Sequence, residues 1–156
     1  MKDKYYTPEI QEFFVGFEYI ETPNRNFNPK FGWDTIMNYQ NRIFDTSTDI
    51  QRIVKLILKN RILVKYLDKE DIEDCLGNNF KDSKSKYDAD DIVEYIDGSI
   101  WDKGIAIRCN LITHNVKITQ YHFHGEYAHD NSHQLFEGTI KNKSELKKIL
   151  KMIGVK

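Results

Sequence analysis

The strict alternation over residues 105–111 constrains this chain most. Ile105, Ile107, Cys109 and Leu111 are apolar, and Ala106, Arg108 and Asn110 stand between them. A period of two buries one set of side chains and exposes the other, the mark of a half-buried strand. Runs of the same kind flank it. Ile92–Ile96 precedes it, separated by an Asp97-Gly98 turn. Val116–His124 follows a second turn at His114-Asn115, and Leu135–Ile140 closes the series. Short turns join antiparallel neighbours, so the second half predicts a sheet built from hairpins.

The first half mixes strands with helices. Residues 13–21, alternating from Val15 onward, read as a first strand ended by Pro23. Residues 22–34 carry Pro23, Pro29, Gly32 and several Asn, which is loop chemistry, and Ile36–Phe44 gives a poorly defined second strand. Ile50, Ile53, Val54 and Ile57 share one helical face, with Thr48 and Gln51 at capping-box spacing. Residues 61–67 read as a strand. Asp68 then caps a short helix with Glu70 and Asp71 in its first turn and Gly77 as its stop. Residues 78–90 are polar and aperiodic, which predicts a flexible loop. Asn142 and Glu145 open a C-terminal amphipathic helix with Leu146, Ile149, Leu150 and Ile153 on its apolar face, and Gly154 ends it. The expectation is one α+β domain over residues 1–156. It has an antiparallel β-sheet of about five or six strands and two or three helices, including the C-terminal one.

Bulk properties narrow the setting. A chain of 156 residues, 40% hydrophobic and 30% charged, can bury a core without staples. A formal net charge of -1 argues against long nucleic acid as a partner. The two cysteines, Cys75 and Cys109, suit a reducing compartment. The N-terminus has no apolar leader and no run reaches membrane-spanning length, so the expectation is a cytoplasmic protein without a membrane partner. Charge is unevenly spread. Residues 68–97 hold eleven acids against four Lys, and residues 52–65 hold five bases and no acid. Solvated helix faces explain such runs most simply, although they could also orient a partner.

Two constellations could carry chemistry. His122, His124 and Glu126 have period-two spacing, and two imidazoles with a carboxylate on one strand face could hold a divalent metal. His129 and His133 stand nearby in sequence. The spacing resembles the cupin metal motif only superficially, because there the Glu follows a longer gap. The apolar side of this strand switches partway along, which implies a bulge or a strand running past the core. The second constellation is aromatic and basic: Trp33, Arg42, Trp101, Lys103, Arg108 and Tyr121. Stacking faces and cationic donors are what a nucleotide ligand requires. Both cysteines read as buried hydrophobes rather than nucleophiles, and the balance leans away from an enzyme.

Three stretches carry a resemblance: Tyr5-Tyr6-Thr7-Pro8-Glu9-Ile10-Gln11-Glu12-Phe13 continuing through Val15-Gly16-Phe17-Glu18-Tyr19, the run from Val64 to Glu73, and the run from Phe136 to Lys148. Together they resemble a set of small uncharacterised proteins of gut Bacteroides-type bacteria and their phages. The resemblance covers about a quarter of the chain, and its motifs carry no assigned chemistry. It implies a phage or mobile-element accessory protein. In that setting the leading expectation is a non-enzymatic binder that sequesters a nucleotide immune signal, with no cofactor. The alternatives are a protein-binding inhibitor of a host factor and a small metal-dependent enzyme using His122, His124 and Glu126. A homo-oligomer is compatible with each.

Overall fold

The computed structural model describes residues 4–22, 40–83, 89, 91–97, 103–122 and 132–155. The architecture is α+β, and every strand pairing is antiparallel. The chain forms two compact units, one of residues 1–66 with 142–145, the other of residues 67–141 with 146–156.

The first unit contains β1 (Tyr5–Tyr6), β2 (Glu18–Glu21), β3 (Gln40–Ile43), α1 (Ile50–Leu58) and β4 (Ile62–Lys65). Its four-stranded sheet runs β1-β4-β2-β3. The strand expected from residue 13 begins only at Glu18. Gly16 adopts a left-handed φ of 94°, which turns the chain just before the strand. Phe13, Phe14 and Phe17 are thereby released into a ring cluster, with Phe13 4.8 Å from Phe17 and 5.6 Å from Phe44. The Gly16 N–H donates to the Phe44 carbonyl at 2.8 Å and carries the β2–β3 pairing past the turn.

α1 forms where periodicity places it, but its details differ from the sequence reading. Asp49, not Thr48, is the N-cap: its carboxylate accepts the Gln51 N–H at 2.9 Å. Thr48 instead turns back to accept the Asp45 N–H and to donate to the Asp45 carboxylate. The buried face holds Ile53 and Leu56, with Ile57 packed beside them, whereas Ile50 is 58% exposed and Val54 is also exposed. The apolar arc of α1 is wider than the sheet it covers, so only part of it meets Phe17, Tyr19, Ile62 and Val64.

The second unit holds α2 (Lys69–Leu76), β5 (Phe80–Asp82), β6 (Ile92–Asp97), β7 (Lys103–Asn110), β8 (Asn115–His122), β9 (Ser132–Thr139) and most of α3 (Lys143–Met152). Its sheet is a five-stranded meander in sequence order, of which the alternation predicted four strands, β6 to β9. The register lines Val93, Cys109 and Val116 in one row and Tyr95, Ile107 and Ile118 in the next. These residues join Leu67, Ile72, Leu76, Leu146 and Leu150 in the core. Asp68 caps α2, accepting the Asp71 N–H at 3.0 Å, and Gly77 ends it at a φ of 67°. Asn142 caps α3, accepting the Glu145 N–H at 3.0 Å, and Gly154 follows it at a φ of 78°.

Part of the stretch expected to be a loop from residue 78 is ordered. A 3-10 turn over Gly77–Asn79 leads into β5, because Phe80 is apolar and enters the core. Residues 84–88 and 90 lie outside the described residues. A register shift does fall opposite residues 118 and 119, but the extra residue is on the partner strand β9 and not within the 116–124 run where the switching pattern implied it. Ile118 pairs with Phe136 and Thr119 with Gln134, so Leu135 is an extra residue on β9 and forms a bulge.

Candidate functional site

The first unit gathers an unusual density of charge on one carboxylate. Glu21 ends β2, and Arg42 lies diagonally across the pair on β3, on the same sheet face. Arg52 reaches in from α1, which packs over that face, and Arg61 sits just before β4. Arg52 Nη2 lies 2.5 Å from Glu21 Oε2, Arg42 Nε 3.7 Å from the same oxygen, and Arg61 Nη2 3.8 Å from Oε1. Four segments of chain, none adjacent in sequence, therefore meet at one point.

Burial is graded across this cluster. The Glu21 side chain is 13% exposed, while those of Arg42, Arg52 and Arg61 are 45%, 47% and 29% exposed. The carboxylate is the floor and the guanidinium groups are the rim. Arg61 is further fixed by its Nε–H, which donates to the Thr22 carbonyl at 2.8 Å, and Arg42 donates to the Gln40 side chain. Three cations directly paired with one anion leave two positive charges in excess. The Tyr19 phenol stands beside them: burial raises its pKa, and the Arg52 and Arg42 charges pull it the other way. Asp45, also near Tyr19, is engaged by Ser47 and Thr48, whose hydrogen bonds hold its carboxyl below the usual value.

An open hollow of about 420 Å³ lies on the other face of the β2–β3–β4 strands. Its lining includes Glu18, Ile20, Asn41, Arg42, Leu63 and Lys65. Pairing of Ile20 with both Asn41 and Leu63 puts those three on one sheet face. The mixture of apolar floor and charged edge, and a volume within the roughly 300–1,000 Å³ of small-molecule sites, suits a ligand of nucleotide size. Arg42 borders the hollow through its place on β3 between Asn41 and Ile43, but its side chain lies on the opposite face with Glu21, so the hollow and the cluster are separate features.

The other residues singled out by sequence are distributed differently. Arg108 lies on β7 of the second unit and pairs with Glu94 on β6 at 3.4 Å. Lys117 and Glu137 continue that cross-strand row, in which two central cations are flanked by two acids and the charges sum to zero. Tyr121 lies on β8 opposite Gly104 and donates its hydroxyl to the Asp97 carbonyl at 3.1 Å. Lys103 and His122 are paired at the ends of β7 and β8. Trp33, Trp101, His124, Glu126 and His129 lie outside the described residues. His133 is an exposed residue of β9 opposite Gln120. Among the described residues no group of three or more His, Cys, Asp or Glu is placed to hold a metal ion. The Cys109 thiol, pushed up to about 12 by burial, is protonated at neutral pH.

Sequence reasoning selected Arg42 and missed Glu21, Arg52, Arg61 and Tyr19. The available signal was the run of five bases without an acid over residues 52–65. No helix among the described residues is long and apolar enough to cross a membrane. No protein-family model, curated protein or solved structure matches the chain.

Proposed function

We propose that this chain is a binding protein for a small phosphate-bearing ligand, a nucleotide, held through Arg42, Arg52 and Arg61. The observation that carries this reading is the three-arginine cluster on Glu21, two positive charges in excess of the one carboxylate they meet. Guanidinium forks match phosphate oxygens in both charge and geometry. In the phage or mobile-element setting that the sequence resemblance implies, the role is sequestration of a nucleotide immune signal without turnover.

Calorimetric titration of the full chain with a panel of nucleotides tests this. A saturable site is expected, weakened at least tenfold by Arg42→Ala and left unchanged by Arg108→Ala, because Arg108 is spent on Glu94. Added salt should weaken binding. Ligand recovered after denaturing the complex should be chemically intact. Binding indifferent to Arg42→Ala would overturn the site, and a converted ligand would overturn sequestration.

A further inference from the structure

Resting on that nucleotide reading, we infer that the site selects a terminal phosphomonoester dianion over a phosphodiester, and so a linear nucleotide over a cyclic one. Charge and oxygen count both favour the monoester. Three guanidinium groups face a single carboxylate, so the directly paired charge sums to two positive. A phosphomonoester carries about -1.5 to -2 near pH 7 and offers three terminal oxygens. A diester carries one negative charge and offers two. The three arginines come from β3, α1 and the segment before β4, so their heads approach from three directions rather than as one strip. A tripod of donors fits a terminal group with three oxygens better than a link buried between two sugars. Glu21 is the fixed floor of the tripod, and its charge removes the excess that would otherwise hold any anion indiscriminately.

The preference has a pH signature. The second ionisation of a phosphomonoester lies at about 6, so the dianion fraction falls about tenfold between pH 7.5 and pH 5. The groups facing the site are Tyr19 and Glu21 from β2, Arg42 from β3, Asp45 after it, Arg52 from α1 and Arg61 before β4. All five histidines of the chain lie between residues 114 and 133, outside the first unit, so no imidazole of this unit titrates across that window.

The test uses adenosine 5′-monophosphate, adenosine 3′,5′-cyclic monophosphate and inorganic phosphate against the full chain, at pH 7.5 and pH 5. Adenosine monophosphate should bind at least tenfold more tightly than the cyclic diester at pH 7.5. Its affinity should drop about tenfold at pH 5 while that of the cyclic diester, which does not titrate there, stays level. Arg52→Gln should shrink the discrimination. Equal affinity for the two adenosine ligands would overturn the monoester preference and leave the nucleotide reading standing. A matching pH loss for the cyclic diester would assign the titration to the protein and overturn the signature. Inorganic phosphate binding as tightly as the nucleotide would keep the dianion preference and overturn the nucleotide reading. No binding of any of the three would overturn both.

Discussion

Replacing Gly104 with alanine is expected to destabilise the second unit sharply. Gly104 stands on β7 directly opposite Tyr121 on β8. A Cβ built there would lie 2.5 Å from the Tyr121 hydroxyl oxygen and 2.6 Å from the ring carbon bearing it, and would also collide with the Asp97 carbonyl oxygen. Ordinary carbon contacts begin well beyond that, so the ring must swing by about 1 Å and the Asp97 backbone must give as well. Swinging the ring breaks the hydroxyl's bond to the Asp97 carbonyl, now 3.1 Å, at a cost of about 1 kcal/mol. Moving Asp97 disturbs its pairing with Ile105. Overpacking of this kind costs about 1–3 kcal/mol by itself, so the sum for Gly104→Ala is about 2–4 kcal/mol. With a urea slope of about 1–3 kcal/mol per molar, the midpoint should fall by about 1 M or more. Hydrogen exchange at the β7 amides locates the loss in this unit. In a Tyr121→Ala background the same substitution should cost at least about 1 kcal/mol less, because the ring is no longer in the way. A Gly104→Ala protein within about 0.5 kcal/mol of the parent would refute the reasoning, as would an equal cost in both backgrounds. The experiment bears on function too. Tyr121 is occupied in covering Gly104 and bonding Asp97, so Tyr121→Phe should lower stability by about 1 kcal/mol and leave nucleotide affinity unchanged.

Other consequences of the structure can be measured in the same way. Asp49→Ala should cost about 1 kcal/mol by thermal or urea unfolding, since it removes the acceptor for the Gln51 N–H at the start of α1. Ile53→Ala, at a fully buried position, should cost about 2–5 kcal/mol, and Ile50→Ala on the same helix should stay within about 0.5 kcal/mol. Thiol labelling of the native protein should spare Cys109, whose thiol is buried and pushed up to about 12, and reach half-buried Cys75 first; urea should expose Cys109.

Legibility in the sequence followed the number of dry faces. The β6–β9 sheet has one face in the core and the other carrying Glu94, Arg108, Lys117 and Glu137, so apolar and polar residues alternate and the strands can be read directly. α3 is equally plain, because its cap, stop and apolar stripe agree. α1 is not. Six of its nine residues are apolar, so the period announces a helix without saying which part of the arc meets the sheet. Thr48 and Asp49 are both good caps, and only the fold shows that Thr48 is committed to Asp45. β1 has two residues and β5 three, too short for any period to register. The arginine cluster was illegible for a different reason. Residues 21, 42, 52 and 61 have no meaningful spacing, and what unites them is the β2–β3 register and the packing of α1 over it.

The contrast between the two units explains why the proposed site belongs to the first. In the second, several of the described charges are met by neighbours of opposite sign or by hydroxyls. Lys69 reaches Asp82 at 3.1 Å and Glu73 at 3.7 Å, Glu73 accepts the Tyr95 hydroxyl at 2.9 Å, and Arg108 meets Glu94. The acid-rich run of residues 68–97 is thus partly absorbed by local pairing, as expected of a solvated surface. Glu21 is the reverse case: one acid, sunk to 13% exposure, surrounded by three cations that still reach solvent. Burying a carboxylate costs free energy that an ion pair returns only with close geometry. Arg52 at 2.5 Å makes such a contact, while the part-exposed Arg42 and Arg61 at 3.7 and 3.8 Å add little to the stability of Glu21. Their mutual repulsion across a shared carboxylate is a standing cost to the fold. An added anion would relieve that repulsion, and relief of this kind is differential stabilisation of the liganded protein. A surface optimised only for stability would give each cation its own acid, as Arg108 has Glu94 and Lys69 has Asp82.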